Sequence, residues 1–235
     1  MKKKGLLVAV LMCMLCLSNK VCGQENTNSR LNYIGSLAIG YNRGFGIQTS
    51  LTAYNFGKSF PVDLRFGLGL TFLNPGNADD ARRIFVNDAT NGVPEKSGRS
   101  FDLRLDFMFP KTIFGNSTSF VVLGPRFSTF RGHFDFVDGN EVFDVTSAQW
   151  GVGIALENHF RMTDKLTLFL NYGVDGYIPS TLTGHDSAYS PDNSNVNPKD
   201  NNRNDGNPFQ YKDANKAIYQ PFIMPRALIG LDLKL

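Results

Sequence analysis

Residues 61–72 read PVDLRFGLGLTF, and how they alternate decides the fold. Asp63 and Arg65 stand between Val62, Leu64 and Phe66, and then Gly67, Gly69 and Thr71 stand between Leu68, Leu70 and Phe72. A helix would scatter these residues around its circumference, whereas a strand sends successive side chains to opposite faces. The period is two. One face is wholly apolar, and the other carries charge of both signs and glycine. A soluble core has no room for the second face, but a wall between lipid and a crowded polar interior does.

The pattern recurs along the chain. Phe101, Leu103, Leu105, Phe107 and Phe109 alternate with Asp102, Arg104, Asp106 and Met108, and Trp150, Val152, Ile154 and Leu156 alternate with Gly151, Gly153, Ala155 and Glu157. Leu166 to Val174 repeats it, with Asp175 on the polar side, and so does the C-terminus, where Arg226, Gly230, Asp232 and Lys234 oppose Ile223, Ala227, Ile229, Leu231, Leu233 and Leu235. Eight strands are predicted, at 30–42, 45–57, 61–74, 100–110, 118–136, 141–161, 166–182 and 217–235. Most reach the roughly nine to eleven residues that a tilted strand needs to cross a bilayer. The longest apolar runs, such as FVVL at 120–123, are far too short for a spanning helix. Connections after strands two, four and six are short (KSFP, KTIFGNS, MTDK), whereas segments 75–99 and 183–216 are long and polar. Short periplasmic turns with longer outer loops are the expected arrangement of an outer-membrane barrel.

The first residues give the compartment. MKKK is a basic start, GLLVAVLMCMLCL an apolar stretch, and VCG supplies small residues before Gln24, which together predict a cleaved secretory signal at 1–23 and a barrel over 24–235. Asn19 and Lys20 interrupt the apolar run and argue against an uncleaved anchor, and no cysteine is cleanly placed for lipidation. Cys13, Cys16 and Cys22 all lie in the signal, so no disulfide is expected in the mature chain. The formal charge of +3 includes Lys2, Lys3, Lys4 and Lys20, which leaves about −1 from Gln24 onward. Such a net charge indicates no basic surface for nucleic acid or anionic lipid.

An eight-stranded barrel encloses little more than its own inward side chains, so glycine belongs where space is short and paired charge where it is not. The expected inner-face charges are Asp63, Arg65, Asp102, Arg104, Asp106, Arg126, Glu157, Asp175, Arg226, Asp232 and Lys234. An arginine turned to the lipid midplane instead would cost about 2–4 kcal/mol, which fixes the inside.

The signal, the eight alternating segments, the asymmetry of turns and loops and the closing RALIGLDLKL resemble the small outer-membrane β-barrels of the OmpA/OmpX type, most closely the PorT-like "porin family" barrels of Bacteroidota. The resemblance implies an all-β, eight-stranded antiparallel up-and-down transmembrane barrel. It also implies outer-membrane lipid around it and the barrel assembly machinery as partner during insertion. Many relatives end in an aromatic residue, whereas this chain ends in Leu235. The competing architecture is a soluble lipocalin-like barrel with the faces reversed; its rows of Leu and Phe would overfill a ligand cavity.

Tyr33, Tyr41, Phe72, Phe101, Phe109, Trp150, Phe160 and Tyr177 fall near strand ends, where interfacial girdles are expected. Chemical sites are sparse. His133, His159 and His185 lie in three different segments without zinc-ligand spacing, and no cofactor or metal site is expected. GHDSAYS places His185, Asp186 and Ser187 side by side, which adjacency alone does not make a triad. DNNRNDG sets Asp200, Asn202 and Asn204 at alternating positions, yet Asp205 and Tyr211 stand where a calcium loop wants glycine and glutamate. A loop of this composition is expected to be solvated and mobile. Strands five and six alternate past the bilayer and turn at Asp138, Gly139 and Asn140, predicting a projecting hairpin. Between Phe127 and Phe130 the apolar residues move from odd to even positions, which marks either a bulge or the exit from the membrane.

The functions left open are a structural or surface-interaction scaffold acting through loops 75–99, 137–141 and 183–216, a narrow porin-like channel, and an outer-membrane hydrolase. A filled lumen favours the scaffold over the channel, and the lack of a convergent acid, base and nucleophile favours it over the enzyme.

Overall fold

Alternating sequence makes strands of most of the chain: β1 (Asn32–Asn42), β2 (Phe45–Tyr54), β3 (Asp63–Leu73), β4 (Val93–Lys111), β5 (Thr118–Val137), β6 (Val142–Arg161), β7 (Leu166–Tyr177), the two-residue β8 (Leu182–Thr183) and β9 (Ala188–Tyr189), and β10 (Ile223–Lys234). Two short helices, α1 (Ala78–Phe85) and α2 (Tyr211–Ala217), interrupt them. The computed structural model describes residues 32–54, 56, 62–86, 92–112, 118–139, 141–200 and 206–235. The signal 1–23, Gln24, the three cysteines, most of the turns KSFP and KTIFGNS, Asn140 and the calcium-like positions Asn202, Asn204 and Asp205 lie outside the described residues.

The eight long strands close on themselves. Each pairs antiparallel with its chain neighbours, β10 returns to β1 from Ile34↔Lys234 to Asn42↔Arg226, and the β5–β6 pairing completes the ring. Closure removes the sheet edges within the ring. Among the described residues no helix is long and apolar enough to cross a membrane, a statement that leaves barrel strands untouched.

The faces follow the parity of the sequence. On β3, Arg65, Gly67, Gly69 and Thr71 are buried while Phe66 and Phe72 are about half exposed. On β6, Trp150 and Ile154 are 64% and 52% exposed, whereas Glu157 is fully buried. The barrel is thus inverted relative to a soluble protein, apolar outside and ionic inside.

Three strands run longer than the rest. β4, β5 and β6 have 19 to 20 residues against 10 to 12 in the other five long strands, and they continue as an arm beyond the mouth. At about 3.3 Å per residue β5 is roughly 65 Å long, more than a bilayer core of ~30 Å requires even for a tilted strand. The predicted projecting hairpin is therefore a three-stranded arm, because residues 93–99, expected in a loop, extend β4 by pairing from Val93↔Val137 to Arg99↔Arg131. The β5–β6 ladder continues unbroken from Thr118↔His159 to Asp135↔Val142, so no bulge occurs near Phe127. Even positions of β5 face inward throughout, and what changes at Phe130 is the chemistry of the inside, from charged to apolar.

That apolar inner face carries a second core. Phe130, Phe134, Phe136, Phe143 and Val145 of the arm pack with Ala81, Ile84 and Phe85 of α1 and with Leu182, Tyr189, Phe209, Ala214, Ala217 and Ile218. The expectation of a solvated, mobile 183–216 is corrected here: its described residues contribute buried aromatic and aliphatic side chains to a packed cap. α1 forms because Ala78, Ala81, Ile84 and Phe85 share one face, the Asn77 side chain accepts from the amides of Asp79 and Asp80, and Asp79, Asp80 and then Arg82, Arg83 complement the helix dipole. The Tyr189 hydroxyl donates to the Ile84 carbonyl at 2.8 Å and the rings of Phe85 and Tyr189 meet edge to face at 5.3 Å, holding α1 against the returning chain.

Candidate functional site

Inside the barrel the charges form two linked clusters. Nearer the short-turn end, Arg65 of β3 donates to both Glu157 oxygens at 2.7 Å and from Nε to Thr52 at 3.0 Å. Its guanidinium also lies 5.7 Å from the centre of the Phe169 ring. Glu157 accepts in addition from Asn171 at 2.8 Å, and its Oε1 lies 2.7 Å from His159 Nε2. The other ring nitrogen of His159 is 3.3 Å from Asp232.

Nearer the cap, Asp175 is the hub. It pairs with Arg126 Nε at 3.1 Å, Arg104 Nη2 at 2.9 Å and Arg226 Nη1 at 2.7 Å, while Arg126 also reaches Asp106 at 2.5 Å. Asp102 lies 3.9 Å from Arg104 and accepts from the Tyr177 hydroxyl at 3.3 Å. Asn171 joins the clusters, accepting from Arg226 at 3.0 Å and donating to Glu157. Gly153 makes this geometry feasible, since a Cβ there would sit 2.0 Å from Asp175 Oδ1 and 2.7 Å from two Arg126 nitrogens.

Of the residues expected on the inner face, Arg65, Asp102, Arg104, Asp106, Arg126, Glu157, Asp175, Arg226 and Asp232 are buried and lie in this network. Asp63 is half-buried at the start of β3. Lys234 is exposed and does not belong to it: its parity is inward, but it ends the strand opposite Ile34, where a long amine reaches water. Tyr177 departs from the girdle expectation. It has the inward parity of Asp175 and is buried with its hydroxyl on Asp102, whereas Tyr33, Tyr41, Phe72, Phe101, Phe109, Trp150 and Phe160 stand exposed on the wall. Alternation alone missed His159, although its position two residues beyond Glu157 gives it the same parity.

The cap holds a different kind of chemistry. Gln149 at the mouth donates to the Pro221 carbonyl at 2.7 Å, Arg43 to the Gln220 carbonyl at 3.0 Å and Lys96 to the Gly76 carbonyl at 2.6 Å, which tie the cap to the barrel, while Asn77 and Tyr219 donate backbone bonds to Ala217 and Pro75 within the cap. His185 is exposed, Asp186 is paired with Lys199 at 2.9 Å, and the buried Ser187 donates to the Phe85 carbonyl at 3.3 Å. GHDSAYS forms no triad in space: His185 lies 3.8 Å from Asp186, whereas the Ser187 hydroxyl is turned away and engaged in holding α1. The Lys199 ammonium holds the Asp186 carboxyl below its usual range. Among the described residues no group of three His, Cys, Asp or Glu is placed to hold a metal ion.

No family model matches the chain, and no curated protein matches it. Among solved structures, a major outer membrane protein from Thermus thermophilus superposes with a TM-score of 0.69 at 19% identity, over 88% of this chain and 100% of that one. Neisserial surface protein A (NspA) reaches a TM-score of 0.37 at 12% identity over 87% and 96% of the two chains, too loose to bear on the fold. What the first likeness shows is architecture: this chain has the closed antiparallel eight-stranded barrel seen in that Thermus protein.

Proposed function

We propose that the chain is an integral outer-membrane barrel whose lumen is sealed by its own ion pairs and whose cap and arm act as a surface-interaction scaffold. The observation that carries this is the inversion of the barrel wall: a belt of exposed Leu, Ile, Val and aromatic side chains surrounds buried Arg65, Arg104, Arg126 and Arg226. Water would penalise the first and lipid the reverse arrangement. The short turn 162–165 then faces the periplasm and the cap faces outward, with the signal 1–23 directing export and the assembly machinery inserting the barrel. The Thermus protein of like architecture is an outer membrane protein, which supports the same compartment for this chain.

A scaffold is favoured over a channel because the network crosses the lumen from Asp102 to Asp232 through side chains in direct contact, and a packed cap adjoins its mouth. Recognition is then a matter of the rigid cap and arm, within segments 75–99, 137–141 and 183–216. The full chain is expected in the outer-membrane fraction, to resist carbonate extraction and to migrate differently boiled and unboiled. In planar bilayers it is expected to show little steady conductance. A soluble periplasmic protein would overturn the membrane reading, and large reproducible conductance steps would put the narrow channel in place of the scaffold.

A further inference from the structure

One cross-strand row on the outer wall breaks its own chemistry. Register links Tyr41 to Phe45, Phe45 to Phe72, Phe72 to Arg99, Arg99 to Arg131, Arg131 to Thr146 and Thr146 to Thr183, and all these side chains face outward. Three aromatics of the interfacial kind are followed by two arginines directly opposite one another. Like charges in that relation destabilise a sheet pair. Arg131 is partly neutralised by Asp144, 2.5 Å away, whereas Arg99 has no ion-pair or hydrogen-bond partner among the described residues. Arg99 is exposed, so water solvates it in isolation, yet two facing guanidinium groups still call for an anion.

The surroundings say what kind. A groove of about 770 Å³ runs along the pair, lined on the cap side by Thr146, Thr181 and Thr183 and toward the belt by Leu70 and Phe101. Its upper end offers guanidinium and hydroxyl groups, and its lower end merges with the apolar wall. A second depression of about 390 Å³, bordered by Phe72 and His133, flanks the same two arginines. Girdles of aromatic residues flank the apolar band of a membrane barrel, and the register places Arg99 directly beside Phe72 at the end of that band.

We propose that Arg99 and Arg131 hold a phosphate of an acylated glycolipid in the outer leaflet, with a Thr146 hydroxyl nearby and an acyl chain lying over Leu70 and Phe101. Two guanidinium forks facing across adjacent strands suit the oxygens of one phosphate, and the apolar continuation of the groove selects a lipid over the free anion. The site rests on the membrane reading above, since the groove meets lipid only if the belt does.

The test uses the full chain in neutral-detergent micelles, its folded state checked by the boiled and unboiled gel positions. Binding of bisphosphorylated lipid A and of its dephosphorylated form is measured by native mass spectrometry. Wild type is expected to retain the bisphosphorylated lipid, to lose at least about tenfold in affinity when both phosphates are absent, and to be indifferent to millimolar inorganic phosphate. Arg99→Ala is expected to weaken binding by about tenfold and Arg99→Glu to abolish it, with Arg99→Lys in between. Because the Arg99 side chain makes no hydrogen bond or ion pair among the described residues, these variants should keep the folded gel position. Equal retention of both lipids, or wild-type binding by Arg99→Glu, overturns the site while leaving the barrel intact. Full competition by inorganic phosphate overturns the choice of a lipid. A chain that never shows a folded gel position refutes the membrane reading itself, and the site falls with it.

Discussion

Replacing Glu157 by Gln removes one negative charge from the centre of the lumen and changes almost no volume. Four contacts converge on that carboxylate: two from Arg65 at 2.7 Å, one from Asn171 at 2.8 Å and one from His159 at 2.7 Å. In Glu157→Gln one of the two acceptor oxygens becomes an NH2 group that faces a donor, and Arg65, only 2% exposed, loses its bidentate counter-charge. Breaking a buried pair by removing one partner costs about 3–5 kcal/mol, chiefly because the remaining charge stays desolvated. Replacing both, as Arg65→Met with Glu157→Leu, removes the stranded charge and is expected to recover most of the loss. The assay is urea unfolding of the barrel refolded in phospholipid vesicles, followed through Trp150, the one tryptophan, which stands exposed on the wall. A loss below about 1 kcal/mol in Glu157→Gln, or a double variant as unstable as the sum of the two singles, would refute the claim that the lumen is held by desolvated pairing.

Ile154→Arg, on the exposed face of β6, is expected to cost about 2–4 kcal/mol and to impair assembly, whereas Val93→Arg on the arm should be neutral; pulse-chase recovery of the folded gel form measures both. Phe85→Ala empties a fully buried site in the cap core and is expected to cost the cap about 3–5 kcal/mol, seen as faster protease cleavage within 182–218 with the barrel's gel position unchanged. The Asp186 carboxyl is held down by Lys199, so its contribution is complete above the ordinary carboxylate range and is lost as pH falls through the lowered value. Amide protection factors around residues 186 and 199, that is, exchange corrected for its intrinsic pH dependence, should therefore be the same at pH 7 and pH 5 and fall only below about pH 4.

Much of the barrel was legible because a strand against a membrane has a strict physical grammar. A period of two in PVDLRFGLGLTF, with Arg65 on one parity and Phe66 on the other, settles which side of the wall each residue occupies, since only one side tolerates charge. The same parity contains Tyr177 and His159, whose residue types alone point to an interfacial girdle and to a solvated turn but whose positions point inward. α1 was legible too: ADDARRIF after Asn77 has a cap, a first-turn acid pair and an apolar stripe, but its polar composition hid the helix inside an expected loop.

Sequence by itself determined the eight long strands, their order and their inward and outward faces, because these depend on neighbours one or two residues apart; it did not place their ends, since β4 begins at Val93 and not at 100, β7 stops at Tyr177 and not at 182, and β10 starts at Ile223 after a helix and not at 217. Tertiary structure alone decided partners. Arg65 meets Glu157 across 92 residues, and Asp175 gathers three arginines from three strands, because closure and stagger of the barrel bring those positions to one depth. Depth along the wall likewise lies beyond parity, which is why Lys234, inward by alternation, ends in solvent at the rim. Folding of the arm over 183–216 depends on Phe130, Phe134 and Phe143 facing inward just where the ionic lumen ends, and that level is set by the ring of strands around them.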